Sequence, residues 1–383
     1  MHIPLPSVRS VLSTALLAAA MSPVAWAYDV CIPPPPDEET SNIASPHPEG
    51  RVNNAAPTPM GVDLPEQGLL GATPVPAPDD RGVYTNIKWR SGDWLEPTRG
   101  CASTRFVFDV LPAKDYDPRA TDGKVFPVIV YFHENGATHA WETGSPIDTN
   151  VATVARNGNF HFVSVEFRHP VADQYLADDP PHTVPHTDVG LFIQFLRKNA
   201  AKFKVDKRNI FAFGRSRGSL ALWQGLQADM GSGDTSSKVN AFVGYEAQTS
   251  YQCQTFSDNF LIQDDAARAY VAECRSDAKN KYDPLFRNAL DAVKPDTTLP
   301  VMLQYSDGFV EEPNGRVKLL AAHQLFSNYD HLHYPNFGLA LYWRYFDLDL
   351  NKDRVRMAKP TTGVGKRAQF TGWLDFVNNW KVQ

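Results

Sequence analysis

Hydrophobic residues gather along this chain in two kinds of run. Short apolar-rich runs occur at 104–111 (TRFVFDVL), 127–132 (PVIVYF), 160–167 (FHFVSVEF), 209–213 (NIFAF), 239–245 (VNAFVGY) and 300–305 (PVMLQY). Such runs, nearly continuous and bounded by polar segments, predict strands buried on both faces. The second kind has helical spacing. In 187–203 (TDVGLFIQFLRKNAAKF), Val189, Phe192, Ile193, Phe195 and Leu196 are apolar and the end is basic, which suits a helix dipole. Helices are also predicted over 217–230, 315–327, 338–346 and 370–380, with a last strand at 355–358. The β-α-β rhythm predicts an α/β fold: a mostly parallel, doubly wound sheet flanked by helices.

The first 80 residues break this rhythm. Residues 1–27 read as a cleavable secretory signal peptide, with Arg9, an apolar run Val11–Met21 too short to span a bilayer, and a cut after Ala27 in Ala25-Trp26-Ala27. Residues 28–80 hold 12 of the chain's 30 prolines and no hydrophobic period, which predicts an extended tail or strap. The body is then one domain over 81–383, with 246–298 inserted between two core strands as a helix-rich cap. The expected location is secreted or periplasmic, with no membrane span.

Composition narrows the class. The chain has 383 residues, 37 basic against 43 acidic, and a formal net charge of −6. A nucleic-acid-binding protein would show a basic excess, so no nucleic-acid partner is expected. Export changes the reading of the four cysteines. An even number in an oxidising compartment predicts two disulfides, and of the three pairings Cys253–Cys274 and Cys31–Cys101 are preferred.

The chemistry centres on Gly214-Arg215-Ser216-Arg217-Gly218. This is G-x-S-x-G, entered by the strand NIFAF and left by a helix. A sharp strand-to-helix turn lifts the serine Oγ to the sheet's carboxyl edge, and the flanking glycines remove side chains that would clash there. The backbone N–H of Arg217 is one candidate oxyanion donor. His133-Glu134-Asn135-Gly136, after PVIVYF, is the second anchor, with the backbone amides of Asn135 and Gly136 as the other donors and His133 as a structural member of the loop. Arg215 and Arg217 fit two roles equally: attracting a substrate carboxylate, or pairing with protein carboxylates.

From roughly residue 104 to 380 the chain resembles the α/β-hydrolase superfamily, nearest to secreted serine esterases of the dienelactone-hydrolase or prolyl-oligopeptidase-like branch. The resemblance rests on HENG, on VEFRHP, and on DVGLFIQFLRKNAAKFKVDKRNIFAFGRSRGS. It implies Ser216 as nucleophile, an acyl-enzyme intermediate, a small-molecule or polymer ester as substrate, and no cofactor. It also implies the chain order serine, acid, histidine.

Two assignments of acid and base follow. In one, Asp307 after PVMLQY is the acid and His333 the base. In the other, Asp330 is the acid and the histidine should follow the last strand. None of the 50 residues after His333 is histidine, so the base would be missing or supplied from the acid loop by His331 or His333. The alternative function is a non-catalytic or impaired homologue that binds a ligand or partner. No metal is expected: Asp347-Leu-Asp349-Leu-Asn351-Lys-Asp353 mimics an EF-hand start but has Lys352 for glycine and Ala358 for glutamate. His182 and His186 flank a proline in a loop that leads into a helix.

Overall fold

A computed structural model describes residues 83–89, 94–96, 101–103, 107–134, 146–167, 186–249, 289–305, 309–311, 317–319, 333, 335–350, 354–358, 361–362, 368–369 and 372–383. The signal peptide, the proline-rich strap and most of the cap region lie outside these residues.

Eight strands form the main sheet: β1 (Tyr84–Lys88), β2 (Val107–Leu111), β3 (Phe126–Phe132), β4 (His161–Val165), β5 (Val205–Arg215), β6 (Phe242–Tyr245), β7 (Val301–Gln304) and β8 (Val355–Ala358). Their order across the sheet is β1-β2-β4-β3-β5-β6-β7-β8. β2 runs antiparallel to both β1 and β4. Every pair from β4 through β8 is parallel. The carboxyl ends of β3 to β8 therefore share one edge, where the loops that could carry chemistry emerge.

Strict alternation divides each strand between two apolar layers. Val128, Val130 and Phe132 of β3 and Ile210 and Ala212 of β5 face one layer, while Ile129, Tyr131, Phe211 and Phe213 face the other. The first layer is closed by helices α2 (His186–Lys198), α3 (Leu220–Leu226), α4 (Ala289–Ala292) and α5 (Pro335–Asp347). The second is closed by α1 (Pro146–Asn157) and α6 (Gly372–Asn379). Each strand face must be apolar because each has a helix layer to meet, which is why the sequence shows continuous runs. Phe108 centres the first layer, edge-on to Phe192, Phe195 and Phe203 at 5.2, 5.8 and 5.9 Å. Trp373 anchors the second, edge-on to Phe213 at 5.5 Å.

Three expected elements are corrected. The helix expected over 217–230 is a 3-10 turn, Ser216–Ser219, followed by the short α3. It stops early because Asp229 captures the backbone N–H groups of Gly231 and Ser237 and the Ser236 hydroxyl, at 3.2, 2.7 and 2.6 Å, in place of a further helical turn. The helix expected over 315–327 includes a strand, Val317–Leu319, paired antiparallel with Phe309–Glu311. Here a ladder partner overrides the helical pattern. The helix expected over 187–203 ends at Lys198 and continues as turns to Lys204, which has a φ of 49°.

Candidate active site

Ser216 stands at the carboxyl end of β5 with a φ of 47°, the left-handed region that a residue with a Cβ seldom adopts. The turn holds because the two glycines permit it. A Cβ on Gly214 would overlap the Gly218 carbonyl oxygen, and one on Gly218 would overlap that of Phe132 at the end of β3. The elbow thus packs backbone to backbone against the strand that leads into His133-Glu134. Ser219 closes the turn by donating its hydroxyl to the Ser216 carbonyl, and accepts the Gln248 N–H at 2.7 Å.

His333 Nε2 lies 2.8 Å from Ser216 Oγ. The imidazole enters from just before α5, between β7 and β8, and two contacts fix that helix end. Thr249 Oγ1 donates to the Phe337 carbonyl at 2.8 Å. Gly338 presses against the Tyr305 ring so closely that a Cβ would overlap it. Pro335 is the first helical residue, where its fixed φ is pre-organised and no N–H is needed, so α5 begins earlier than expected at 338.

His133 is fully buried. Its Nδ1 donates to the Glu134 carbonyl at 2.9 Å and its Nε2 faces the Glu166 carboxylate at 3.3 Å. It is a structural member of its loop, as its sequence context predicts. Arg215, the residue before Ser216, pairs with protein carboxylates: Nη1 lies 2.7 Å from Glu134 Oε1 and 3.3 Å from Asp148 Oδ1. Its guanidinium also lies over the Tyr245 ring at 5.8 Å. Tyr131 donates its hydroxyl to Asp148, and burial followed by the Asp148 charge pushes that phenol well above its ordinary range. Burial raises the Glu134 carboxyl above its usual value, opposed by Arg215 and His333 and reinforced by Asp148 and Glu246. Burial alone would lower Arg215, but Glu134, Tyr131, Asp148 and Glu246 outweigh it and hold the cation.

Of the residues singled out in the sequence, Ser216 and His333 are brought together. Arg217 is described by its backbone, in the 3-10 turn directly after the serine. Asn135, Gly136, Asp307, Asp330 and His331 lie outside the described residues, as do Cys31, Cys253, Cys274 and His182. Cys101 is described by its backbone, in a short strand paired with Trp94–Glu96. Sequence reasoning missed Asp148, Tyr131 and Glu246. The one available signal was the strand alternation, which puts Tyr131, Phe213 and Arg215 on one face. Glu246 follows β6 with a φ of 51°, a second left-handed residue at the same sheet edge.

Among the described residues, no group of three or more His, Cys, Asp or Glu side chains is placed to hold a metal ion. No helix among them is long and apolar enough to cross a membrane. A cavity of about 810 Å³ is lined by residues 225–228, 238–240 and 296–300, at the amino ends of β6 and β7. It therefore lies at the opposite end of the sheet from Ser216 and His333.

A family model described as BD-FAE, of α/β-hydrolase type, matches residues 115–292, which include β3, the elbow and β6. The order and direction of the strands, with helices on both faces, are those of the α/β-hydrolase fold. Among solved structures this chain is similar to a truncated carbohydrate esterase from gut microbiota, at 16% identity and a TM-score of 0.50, over 78% of this chain and 95% of that one. It is also similar to a propionate-bound thermophilic esterase of the Planctomycetes species Thermogutta terrifontis, at 16% identity and a TM-score of 0.43, over 71% and 88%. A third is an acetyl ester-xyloside bifunctional hydrolase from Caldicellulosiruptor lactoaceticus, at 13% identity and a TM-score of 0.41, over 72% and 85%. At such identities the likeness is one of fold. A search of curated proteins finds no match.

Proposed function

We propose that this chain is a secreted serine hydrolase that cleaves carboxylic esters through an acyl-enzyme on Ser216. The observation that carries the reading is the 2.8 Å approach of His333 Nε2 to Ser216 Oγ. With the ring proton on Nδ1, Nε2 accepts the Oγ–H proton as the oxygen attacks the ester carbonyl. The protonated imidazole then donates to the leaving alkoxide, and a water deprotonated by the same nitrogen cleaves the acyl-enzyme. Asp307 or Asp330 orients the imidazole in this scheme. The backbone N–H of Arg217, with that of Asn135 or Gly136, holds the oxyanion. Burial of Ser216, which is 8% exposed, limits competing water at the reacting oxygen.

Because the fold likeness includes carbohydrate esterases, acyl groups on sugars are the substrate class to assay beside simple acyl esters. Export follows from residues 1–27 and is tested by the amino-terminal sequence of the mature protein. The catalytic test is covalent labelling with a fluorophosphonate probe. Label is expected on Ser216 and is lost in Ser216→Ala. A folded wild-type protein that takes no label and hydrolyses no ester overturns the proposal in favour of a binding homologue.

A further inference from the structure

Arg215 precedes the nucleophile, yet its side chain belongs to a different part of the molecule. Along β5, Phe211, Phe213 and Arg215 alternate onto the face covered by α1 and α6. The strand ends there, so the guanidinium sits above the last apolar residue of that layer and at the sheet's carboxyl edge. Four elements converge on it. β5 supplies the arginine, β3 supplies Tyr131 and the chain leaving it Glu134, α1 supplies Asp148 from its first turn, and β6 supplies the Tyr245 ring. The cation is 12% exposed.

We propose that Arg215 is a positioning residue for the reaction at Ser216: by clamping Glu134 to Asp148, it sets the separation between the serine elbow and the chain that leaves β3. The inference rests on the serine-hydrolase reading. The clamped carboxylate belongs to the residue immediately before Asn135, and the clamping cation belongs to the residue immediately before Ser216. Nucleophile and candidate oxyanion donor are therefore each one peptide from the same ion pair. Rate depends on such separations steeply, because a misplacement of about 1 Å costs on the order of 100-fold. The overlap that a Cβ on Gly218 would make with the Phe132 carbonyl shows how closely the same two segments already approach.

The geometry favours this role over capture of an anionic substrate. Nη1 already faces two carboxylates, and Glu246 adds a third negative charge nearby. Lysine would supply the charge as a compact point on a flexible stem, without the rigid planar group that holds one nitrogen between the two acceptors and lies over the Tyr245 ring.

The clamp also carries a charge signature. Glu134 is faced by Arg215 of β5, Asp148 of α1, Glu246 after β6 and His333 before α5, with Tyr131 beside it on β3. Removing the Glu134 charge withdraws an anion from the His333 imidazolium. Removing the Arg215 charge withdraws a cation. The two changes should move the acid limb of the rate profile in opposite directions.

The test uses the full chain with Arg215→Met, Arg215→Lys, Glu134→Gln and the Met/Gln double variant, assayed on a soluble acyl ester. Arg215→Met is expected to lower kcat about 10- to 100-fold with KM nearly unchanged, and Arg215→Lys to recover part of the loss. The acid limb of kcat/KM should move to higher pH in Arg215→Met and to lower pH in Glu134→Gln. In denaturant unfolding, the double variant should be less destabilised than the sum of the single variants. If Arg215→Met does not fold, Glu134→Gln, which keeps the side chain's shape, carries the kinetic test alone. A labelled wild type whose foldable variants keep kcat and the position of the acid limb overturns this inference alone. A folded wild type that takes no label overturns both it and the serine-hydrolase reading.

Discussion

His333 Nε2 and Ser216 Oγ lie 2.8 Å apart although 117 residues separate them in the chain. The serine is carried on the end of β5, and the imidazole enters from the segment before α5, between β7 and β8. Two groups that act as one unit lose activity together rather than in sequence. Ser216→Ala and His333→Ala are each expected to lower kcat by roughly 10³-fold or more. The double variant should fall no further than the worse single one. A multiplicative loss in steady-state hydrolysis would show that the two do not share a step.

The elbow makes a steric prediction. Gly218→Ala forces a methyl group into the Phe132 carbonyl oxygen, with backbone on both sides of the contact. The expected cost is about 1–3 kcal/mol of unfolding free energy, with kcat falling in parallel as the serine and β3 are pushed apart. Denaturant unfolding and steady-state kinetics on one preparation check both. Alanine at Gly123, which has open space around it although its φ is 70°, should leave kcat unchanged.

Placement of His333 depends on a contact that is itself remote from the chemistry. Thr249→Val keeps the shape of the buried side chain but removes the hydroxyl that donates to the Phe337 carbonyl. A loss of about 1 kcal/mol in stability is expected. A drop in kcat with little change in KM should accompany it, as the start of α5 loosens. Unchanged kcat would mean that the imidazole is held by other contacts.

A pH dependence unrelated to catalysis arises at His161. The ring is buried at the start of β4, edge-on to Tyr116 and Phe126, and its Nδ1 accepts the Ala113 N–H at 3.1 Å. Burial lowers its pKa to about 4. Between that value and the unfolded value near 6.5, the unfolded chain binds a proton that the folded one refuses. Stability is therefore full above about pH 6.5 and lost as pH falls toward 4, at about 1.4 kcal/mol per pH unit and roughly 3 kcal/mol in all. Urea unfolding of the wild type across this range should show the slope. His161→Asn, which keeps an acceptor without a titrating ring, should flatten it.

Much of the fold was legible because its cause is local. Continuous apolar runs such as PVIVYF mark strands sandwiched by two helix layers, and each such run became a strand within a few residues of its expected bounds. The elbow was legible for the same reason: G-x-S-x-G states a steric requirement at fixed spacing, and the overlaps at Gly214 and Gly218 are that requirement. The errors fell where a partner outside the segment's own periodicity decided. Val317–Leu319 pairs with Phe309–Glu311 against its own helical pattern. Asp229 stops α3 by taking backbone donors from residues up to eight positions later.

The sequence by itself determined the serine elbow, its strand and the layered sheet behind it, because apolar periodicity and turn sterics act over a few residues. Which histidine meets Ser216, and whether Arg215 faces substrate or protein, belonged to tertiary structure. The first follows from where α5 is pinned by Thr249 and Tyr305, and the second from which sheet face carries Asp148. Both are distances between segments far apart in the chain, and packing of the whole sheet sets such distances, which no spacing within a motif encodes.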